Sequence, residues 1–317
     1  MLNAPKRIGR TDLMLVALVS IWAVNFSVVK SAISGPGAPF TPLGFNALRF
    51  GVAAAILLAL LRRSNEALPA SRRDWLALFG LGLVGNTLYQ VLFIVGISLT
   101  SPANSSLIVA LTPVVVALIG VWLRLERLTA LAWIGIVMSF AGIAVVVLGN
   151  EAGASDASSL PGDALVLGAT VVWAIYTTLA APLLKRYSAT MVTSVSLAAG
   201  TLPIWLVALP DLRSLEWGAV SLDGWAAVLY SGTFALAAGY VMWNRGVKLL
   251  GGARTAVYSN LIPIVAAAFA WLARGDAITI YHVIGAAIVL TGINLTRRGR
   301  QARLTTLRVR DERAESQ

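Results

Sequence analysis

The stretch ALTPVVVALIGVWLRLE (110–126) sets a proline, Pro113, three residues into an otherwise apolar run and closes on an acid after Arg124. A second stretch, LIPIVAAAFAWLARGD (261–276), repeats that pattern around Pro263 and ends on Asp276. In a helix surrounded by water, an interior proline costs about 3 kcal/mol or more, because it removes a hydrogen bond and collides with the preceding turn. Membrane helices tolerate it, since neighbouring groups re-satisfy the freed backbone. The two stretches therefore predict membrane helices, and their likeness predicts a duplication.

Composition agrees. The chain has 317 residues, 58% hydrophobic and 12% charged, with a mean hydropathy of +0.80. A crossing helix takes about 20 apolar residues, because ~1.5 Å per residue must cover ~30 Å of hydrocarbon. Ten segments qualify: 12–33, 41–61, 75–98, 103–122, 129–148, 162–182, 189–209, 222–244, 252–273 and 279–296. They are too long for strands and lack the alternation of a membrane barrel. The predicted fold class is all-α and polytopic.

A net charge of +11 could suggest nucleic acid, but its distribution points to lipid. Basic residues mark alternate loops: Lys6, Arg7 and Arg10; Arg62, Arg63, Arg72 and Arg73; Arg124 and Arg127; Lys185 and Arg186; Arg245, Lys248 and Arg254; then a basic tail. The intervening loops collect Glu151, Asp156, Asp163, Asp211, Glu216 and Asp223. By the positive-inside rule both termini face the cytoplasm, as an even span count requires. The tail reads as disordered and solvated. The first apolar run exceeds the ~7–15 residues of a signal-peptide core, so it reads as a retained span. With no cysteine and one histidine, His282, neither disulfides nor a thiolate or imidazole metal site is expected.

Sliding the chain against itself gives an offset of 150: Trp75 and Trp225, Gly96 and Gly246, Ala103 and Ala253, Pro113 and Pro263, Glu126 and Asp276, Gly135 and Gly285, Gly142 and Gly292. Trp22 and Trp173 fall one residue off. Five spans per copy is odd, so the second copy enters the membrane from the opposite side. Such inverted repeats can expose a midplane site to each side in turn.

Pro113 should free the carbonyl of Val109, and Pro263 that of Ser259, at matching places in both copies. Breaks of this kind point to a central site, with kinks that only improve packing as the competing reading. Polar and aromatic residues within spans add candidates. Trp22, Asn25 and Val29 share a face of span one, and Trp173, Tyr176 and Thr177 one of span six. Span three offers Asn86, Tyr89, Gln90 and Phe93, and span eight Tyr230, Phe234, Tyr240, Trp243 and Asn244. Spans four and nine open with Asn104, Ser105 and Ser106, and with Thr255, Tyr258, Ser259 and Asn260. Spans five and ten are almost wholly apolar, their glycines permitting close approach.

Arg49 is the most informative charge. Burying it costs about 2.5–3.5 kcal/mol on insertion scales unless it is paired or hydrated, which suggests either a carboxylate or gating role or a bond to carbonyls of the broken helices. Lys30 and His282 lie nearer the external edge. Acids lie only at span ends or in loops, as Asp12, Asp74, Asp163 and Asp223 do, which suggests transport down the solute's own gradient rather than by an internal proton relay. No GxxxxGK[ST] loop and no assembled nucleophile, base and orienting group are found, so neither an ATPase nor any other enzyme is expected, and no cofactor.

On these residues the sequence resembles the drug/metabolite transporter superfamily, specifically its ten-helix EamA-type exporters. SIWAVNFSVVK (20–30) is similar to the family's first-helix motif, with Ala23 in place of glycine, and NALRFGVAAAILL (46–58) to its second-helix motif. The run 103–129 with Gly135 and Gly142 resembles its fourth and fifth helices. The second copy matches through Pro263, Asp276, which stands for a commoner glutamate, and Gly285.

The resemblance implies export of amino acids and related metabolites, or of amphipathic toxic compounds, by alternating access. The tryptophans and tyrosines favour aromatic amino acids. The substrate-binding candidates are Trp22, Asn25, Tyr89, Gln90, Asn104, Trp173, Tyr176, Tyr240, Trp243 and Tyr258, with Pro113, Pro263, Arg49 and Lys30 as breaks or gates. Two alternatives stand beside export: a carrier of an anion such as a sugar phosphate held by Lys30 and Arg49, and a scaffold that transports nothing. The expected organisation is a cytoplasmic segment 1–11, repeats 12–149 and 162–297 joined by an external linker 150–161, and a tail 298–317. The expected setting is a bacterial inner membrane and the partners a small-molecule substrate and lipid, without nucleic acid, as a monomer or weak dimer.

Overall fold

The computed structural model describes residues 9–34, 38–66, 68–122, 129–152, 160–274 and 279–315. Among the described residues there is no strand, and the chain runs as ten rods. These are α1 (Arg10–Ile33), α2 (Pro42–Ser64), α3 (Arg72–Leu99), α4 (102–122), α5 (Ala130–Ala152), α6 (Leu160–Arg186), α7 (Ala189–Val207), α8 (Leu222–Leu250), α9 (252–274) and α10 (Ile280–Glu315). Arg124, Glu126, Arg127, Asp156 and Asp276 lie outside the described residues.

Hydroxyl caps start several rods. Thr41, Ser71, Ser101, Ser188 and Ser221 each accept a first-turn backbone N–H, which otherwise has no partner inside the helix. Pro42 and Pro102 sit in the first turn, where the missing N–H is harmless. α8 ends at Gly251, whose φ of 84° lies in the left-handed region that glycine adopts without strain. The basic tail, expected to be irregular, continues α10 to Glu315. Its arginines, leucines and alanines are good helix formers, and an existing helix extends more readily than a new one nucleates.

Seven helices are long and apolar enough to cross a bilayer, while the apolar parts of α5 and α10 are shorter, Ala130–Val145 and Ile280–Thr296. Large apolar side chains, among them Leu60, Leu76, Phe79, Leu202, Ile264 and Leu272, face outward. The buried set includes Asn25, Asn46, Arg49, Asn86, Gln90, Thr193 and Asn244. Grease outside and amides inside is the arrangement of a protein solvated by lipid. In the order of the ten rods, the start of α1 and the basic stretches around 62–73, 185–186 and 245–254 fall at one end, termed the basic end; the opposite one is the far end.

Helix neighbours come in exchanged sets, as an inverted repeat demands. α3 packs on α6 as α8 packs on α1, α3 on α7 as α8 on α2, and α4 on α6 as α9 on α1; α2 meets α7, α4 meets α9 and α5 meets α10. The register is not uniform. In α2 and α7 the capping residues Thr41 and Ser188 are 147 apart. The same spacing appears where Gly232 abuts Arg49 O and Val52 Cβ, while Gly82 abuts Ser196 O and Ala199 Cβ.

α5 and α10 form a pair at the edge, joined through glycine. A Cβ at Gly142 would stand 2.8 Å from Gly285 O and from Val289 Cγ2. Gly142→Val should therefore pry the pair apart and cost about 1–3 kcal/mol. Gly80, with nothing within 4 Å of an added Cβ, should accept alanine at no cost or with a gain up to ~1 kcal/mol. Unfolding midpoints of the two variants in detergent micelles check the contrast.

Candidate functional site

The site begins with the helix breaks. α4 consists of Pro102–Val109 and Thr112–Trp122. The Val109 carbonyl that Pro113 deprives of its donor accepts instead from Thr112 Oγ1 at 2.6 Å. In α9 the stretch Val257–Leu261 tightens to a 3-10 helix, and the Ile262 N–H donates to Ser259 O. Both freed carbonyls thus find partners within their own helices.

Two further irregularities have no sequence-based forecast. α3 is π-helical over Gly82–Leu88 and α8 over Ser231–Ala238, at matching places in the repeats. A π stretch carries i→i+5 bonds and an extra residue in the turn, which displaces the side chains beyond it. Trp22 Nε1 donates to Ala235 O at 2.9 Å, meeting a carbonyl of the second stretch. The glycines 82, 85, 232 and 239 were the visible signal: Gly239 lies against Trp22 Nε1 and Gly85 against the Tyr176 ring.

Between these elements lies a cavity. Trp22, Asn25 and Phe26 of α1, Arg49 of α2, and Tyr89, Gln90 and Phe93 of α3 form one part of its wall. Thr170 and Trp173 of α6 and Ala235, Leu236 and Tyr240 of α8 form the other, with Val109, Thr112, Ser259 and Ile262 from the broken helices. Counted over positions a water centre can occupy, it measures ≈ 40 Å³. One water takes about 10–15 Å³ on that measure, so the space suits a few waters and must widen for an organic solute.

An aromatic layer floors the cavity toward the basic end. Trp173 is its hub, with ring centroids 4.8 Å from Tyr89, 5.0 Å from Tyr176, 5.0 Å from Tyr240 and 5.4 Å from Trp243. Trp22 adds an edge-on contact to Trp173 at 5.7 Å.

Arg49, 1% exposed, is bonded to side-chain amides and not to the backbone carbonyls of the broken helices. Its Nε donates to Asn46 Oδ1 at 3.0 Å, its Nη2 to Gln90 Oε1 at 2.6 Å, and its guanidinium lies 5.6 Å from the Phe45 ring centroid. Gln90 Nε2 in turn donates to Tyr240 Oη at 2.6 Å. Gln90 and Tyr240 are related by the 150 offset, so this bond joins equivalent places of the two repeats. Among the described residues no carboxylate pairs with Arg49, and the Asn46 Nδ2 donor has no partner. A buried cation on neutral amides retains its full attraction for an anion.

The other candidates divide. Tyr176 and Trp243 lie behind the aromatic layer; Asn244 Nδ2 donates to Tyr176 Oη and Trp243 Nε1 to Thr177 Oγ1. Asn104 and Tyr258 are not in the cavity wall. Asn104 Nδ2 donates to Asp163 Oδ2 at 3.4 Å at the far end, where Thr100 Oγ1 also donates to Asp163 Oδ1 at 2.6 Å and His282 Nε2 lies 3.3 Å from Asn104 Oδ1. Tyr258 Oη donates to Asp12 near the basic end. Asn104 sits in the first turn of α4 and Tyr258 in the 3-10 stretch of α9, and each is taken up by a carboxylate of the other repeat. Lys30 Nζ donates to the carbonyls of Ile97, Ser98 and Thr100 at the end of α3, away from Arg49, so the two cations do not form one anion site. Asp74 and Asp163 lie in first turns, as expected for acids at span ends, yet both are buried.

The sequence profile of the EamA-like transporter family matches residues 9–148 and 160–298. The "Uncharacterized transporter YyaM" of Bacillus subtilis is 28% identical over 284 residues, covering 89% of this chain and 91% of its own. An "Uncharacterized transporter" of Archaeoglobus fulgidus is 26% identical, covering 91% and 99%. The "Probable terminal-alkyne amino-acid exporter" of Streptantibioticus cattleyicolor is 27% identical, covering 90% and 92%. A crystal structure with 22% identity superposes with a TM-score of 0.65 over 91% of this chain and 99% of that one, showing the same fold.

Thr112 is the test of how the α4 break is held. Thr112→Val removes the donor and leaves the Val109 carbonyl alone, and should cost about 1–3 kcal/mol, whereas Thr112→Ser should cost less than half as much. Reversible unfolding in mixed micelles measures both.

Proposed function

The chain belongs to the EamA-like transporter family, and from that premise we propose that it exports small zwitterionic, amphipathic metabolites, amino acids foremost and aromatic ones among them, by alternating access. It is a multi-pass membrane transporter and not an enzyme. The observation that carries the substrate class is Arg49, buried on an aromatic wall with amides for partners. A carboxylate placed there would accept from the guanidinium and from the unpartnered Asn46 amide, while Trp22, Tyr89, Trp173 and Tyr240 flank an apolar side chain. The name of the Streptantibioticus cattleyicolor relative supports the same class.

In this reading the basic end faces the cytoplasm of a bacterium and the membrane is the inner one. The breaks at Pro113 and Pro263 are where α4 and α9 flex; the Asp163–Asn104 and Asp12–Tyr258 contacts, both formed in this structure, hold the two ends, and one of them opens at a time. Each contact joins one repeat to the other, so each must part when the repeats rock. Lys30 steadies the far end through α3. The solute's own gradient drives the exchange.

Counterflow of labelled amino acids into proteoliposomes tests the proposal. Saturable exchange of phenylalanine, tryptophan or a related amino acid is expected, without accompanying proton flux. Charge-assisted hydrogen bonds contribute about 1.5–3 kcal/mol, so Arg49→Ala should raise KM ~10–100-fold at 1.4 kcal/mol per tenfold. Arg49→Lys, which keeps the charge and loses the fork, should fall between. Equal transport of amino acids and their methyl esters would overturn the carboxylate assignment, and silence across a broad panel of amino acids and amphipathic drugs would overturn the substrate class.

A further inference from the structure

Behind the aromatic layer, toward the basic end, α3, α6, α7 and α8 enclose a second polar cluster. Asn86, Thr193, Ser196 and Asn244 are fully buried there. Asn244 Nδ2 donates to Tyr176 Oη at 2.8 Å and to Thr193 Oγ1 at 2.9 Å. Its Oδ1 has no partner among the described residues, and neither Nδ2 nor Oδ1 of Asn86 has one. Asn86 faces α7 at Gly200, where an added Cβ would stand 2.5 Å from Asn86 Cβ. Folded proteins rarely leave a buried amide unmatched at both ends, so the group calls for a partner that the resting bundle does not provide.

Pseudo-symmetry says where that partner comes from. With α2 and α7 offset by 147, Thr193 is the mate of Asn46 and Ser196 the mate of Arg49. With α3 and α8 offset by 150, Asn86 is the mate of Leu236, and Asn244 of Ile94. The cluster is therefore the two-fold image of the Arg49 pocket. In that pocket a guanidinium fills the space and reaches the cavity wall. In its image two short hydroxyls stand with Asn86, whose amide has no partner among the described residues, and Asn244, whose Oδ1 has none. When inverted repeats exchange conformations, each element takes up the surroundings its mate had before.

We infer that the Asn86–Thr193–Ser196–Asn244 cluster is a second solute-binding site, exposed in the alternate conformation, where neutral amides and hydroxyls hold the polar head of the zwitterion that Arg49 holds in this one. The inference rests on the transport reading for its ligand. The amide oxygens of Asn86 and Asn244, unpartnered among the described residues, suit the ammonium group. A site with no charge of its own grips a carboxylate less than Arg49 does, so the two conformations differ in affinity for the same solute. That difference sets the half-saturating solute concentration at each face, while the direction of net flux still follows the solute's own gradient.

The test uses the cysteine-free full-length protein in sealed vesicles. Thr193→Cys should react with a membrane-impermeant thiol reagent applied at the cytoplasmic face, and an amino acid that is exchanged should slow that reaction at least threefold. Inertness from that face, or reaction from the external face alone, overturns the inference. Asn86→Leu and Asn244→Ile install each residue's own mate. Asn86→Leu removes an amide with no partner among the described residues and should leave the unfolding midpoint unchanged or raise it, whereas Asn244→Ile also removes the donor of two buried bonds and should lower it; in both, exchange slows at least tenfold and stabilisation by phenylalanine, which depends on Arg49, persists. A lowered midpoint of Asn86→Leu with normal exchange would mark that amide as structural and overturn the site. Thiol reactivity and the midpoint need no transported solute, so failure of the wild type to exchange amino acids is a separate result that bears on the transport reading alone.

Discussion

A backbone carbonyl set free inside a bilayer has no water to turn to, and the interior of this protein is organised around that constraint. Thr112 answers for Val109, a tightened turn for Ser259, and the Trp22 indole for Ala235. Each repair needs a polar group facing protein and not lipid, so the broken segments turn inward. The groups that repair them then become cavity wall: Thr112 and Trp22 both line it. Mending the backbone and shaping a place for a solute are one structural act here.

Symmetry is kept where helices cross and abandoned where chemistry begins. Gln90 and Tyr240, mates across the pseudo-two-fold, bond to each other, and the π stretches preceding them fall at equivalent places. The loops absorb the shifts between offsets, so the helices keep their mutual register even though the sequence offset varies between 147 and 151. At the centre, Arg49 has Ser196 as its mate. A guanidinium on one side and a hydroxyl on the other give the two halves of the path unlike electrostatics, although their backbones are alike.

Much of this was legible in the sequence because it is carried by helical spacing. Trp22 with Asn25, Tyr89 with Gln90, and Trp173 stand on stripes whose polarity has to face inward, and the cavity gathers them. Asn104 and Tyr258 stand outside the cavity wall because polarity near a helix's start bonds to neighbouring helices as readily as it lines a pore: Asn104 meets Asp163, and Tyr258, in the 3-10 stretch of α9, meets Asp12. The π stretches were illegible since an extra residue in one turn leaves the apolar pattern almost untouched; close-packed glycines were the only trace. Arg49's choice of amides over carbonyls depends on Gln90 arriving from α3, a tertiary event that span two alone does not record.

The aromatic layer separates the Arg49 pocket from its image, and its members are not equally held. Trp22 is tied to Ala235 O, Trp243 to Thr177 and Tyr240 to Gln90. Trp173, which touches all three rings, makes no hydrogen bond among the described residues. Ring contacts of this kind are worth about 0.5–1.5 kcal/mol each beyond burial, comparable to one net hydrogen bond, so the five that Trp173 makes hold it at least as firmly as a single bond holds its neighbours, with less strictness about angle. Its mate Trp22 is the pinned one in the same conformation.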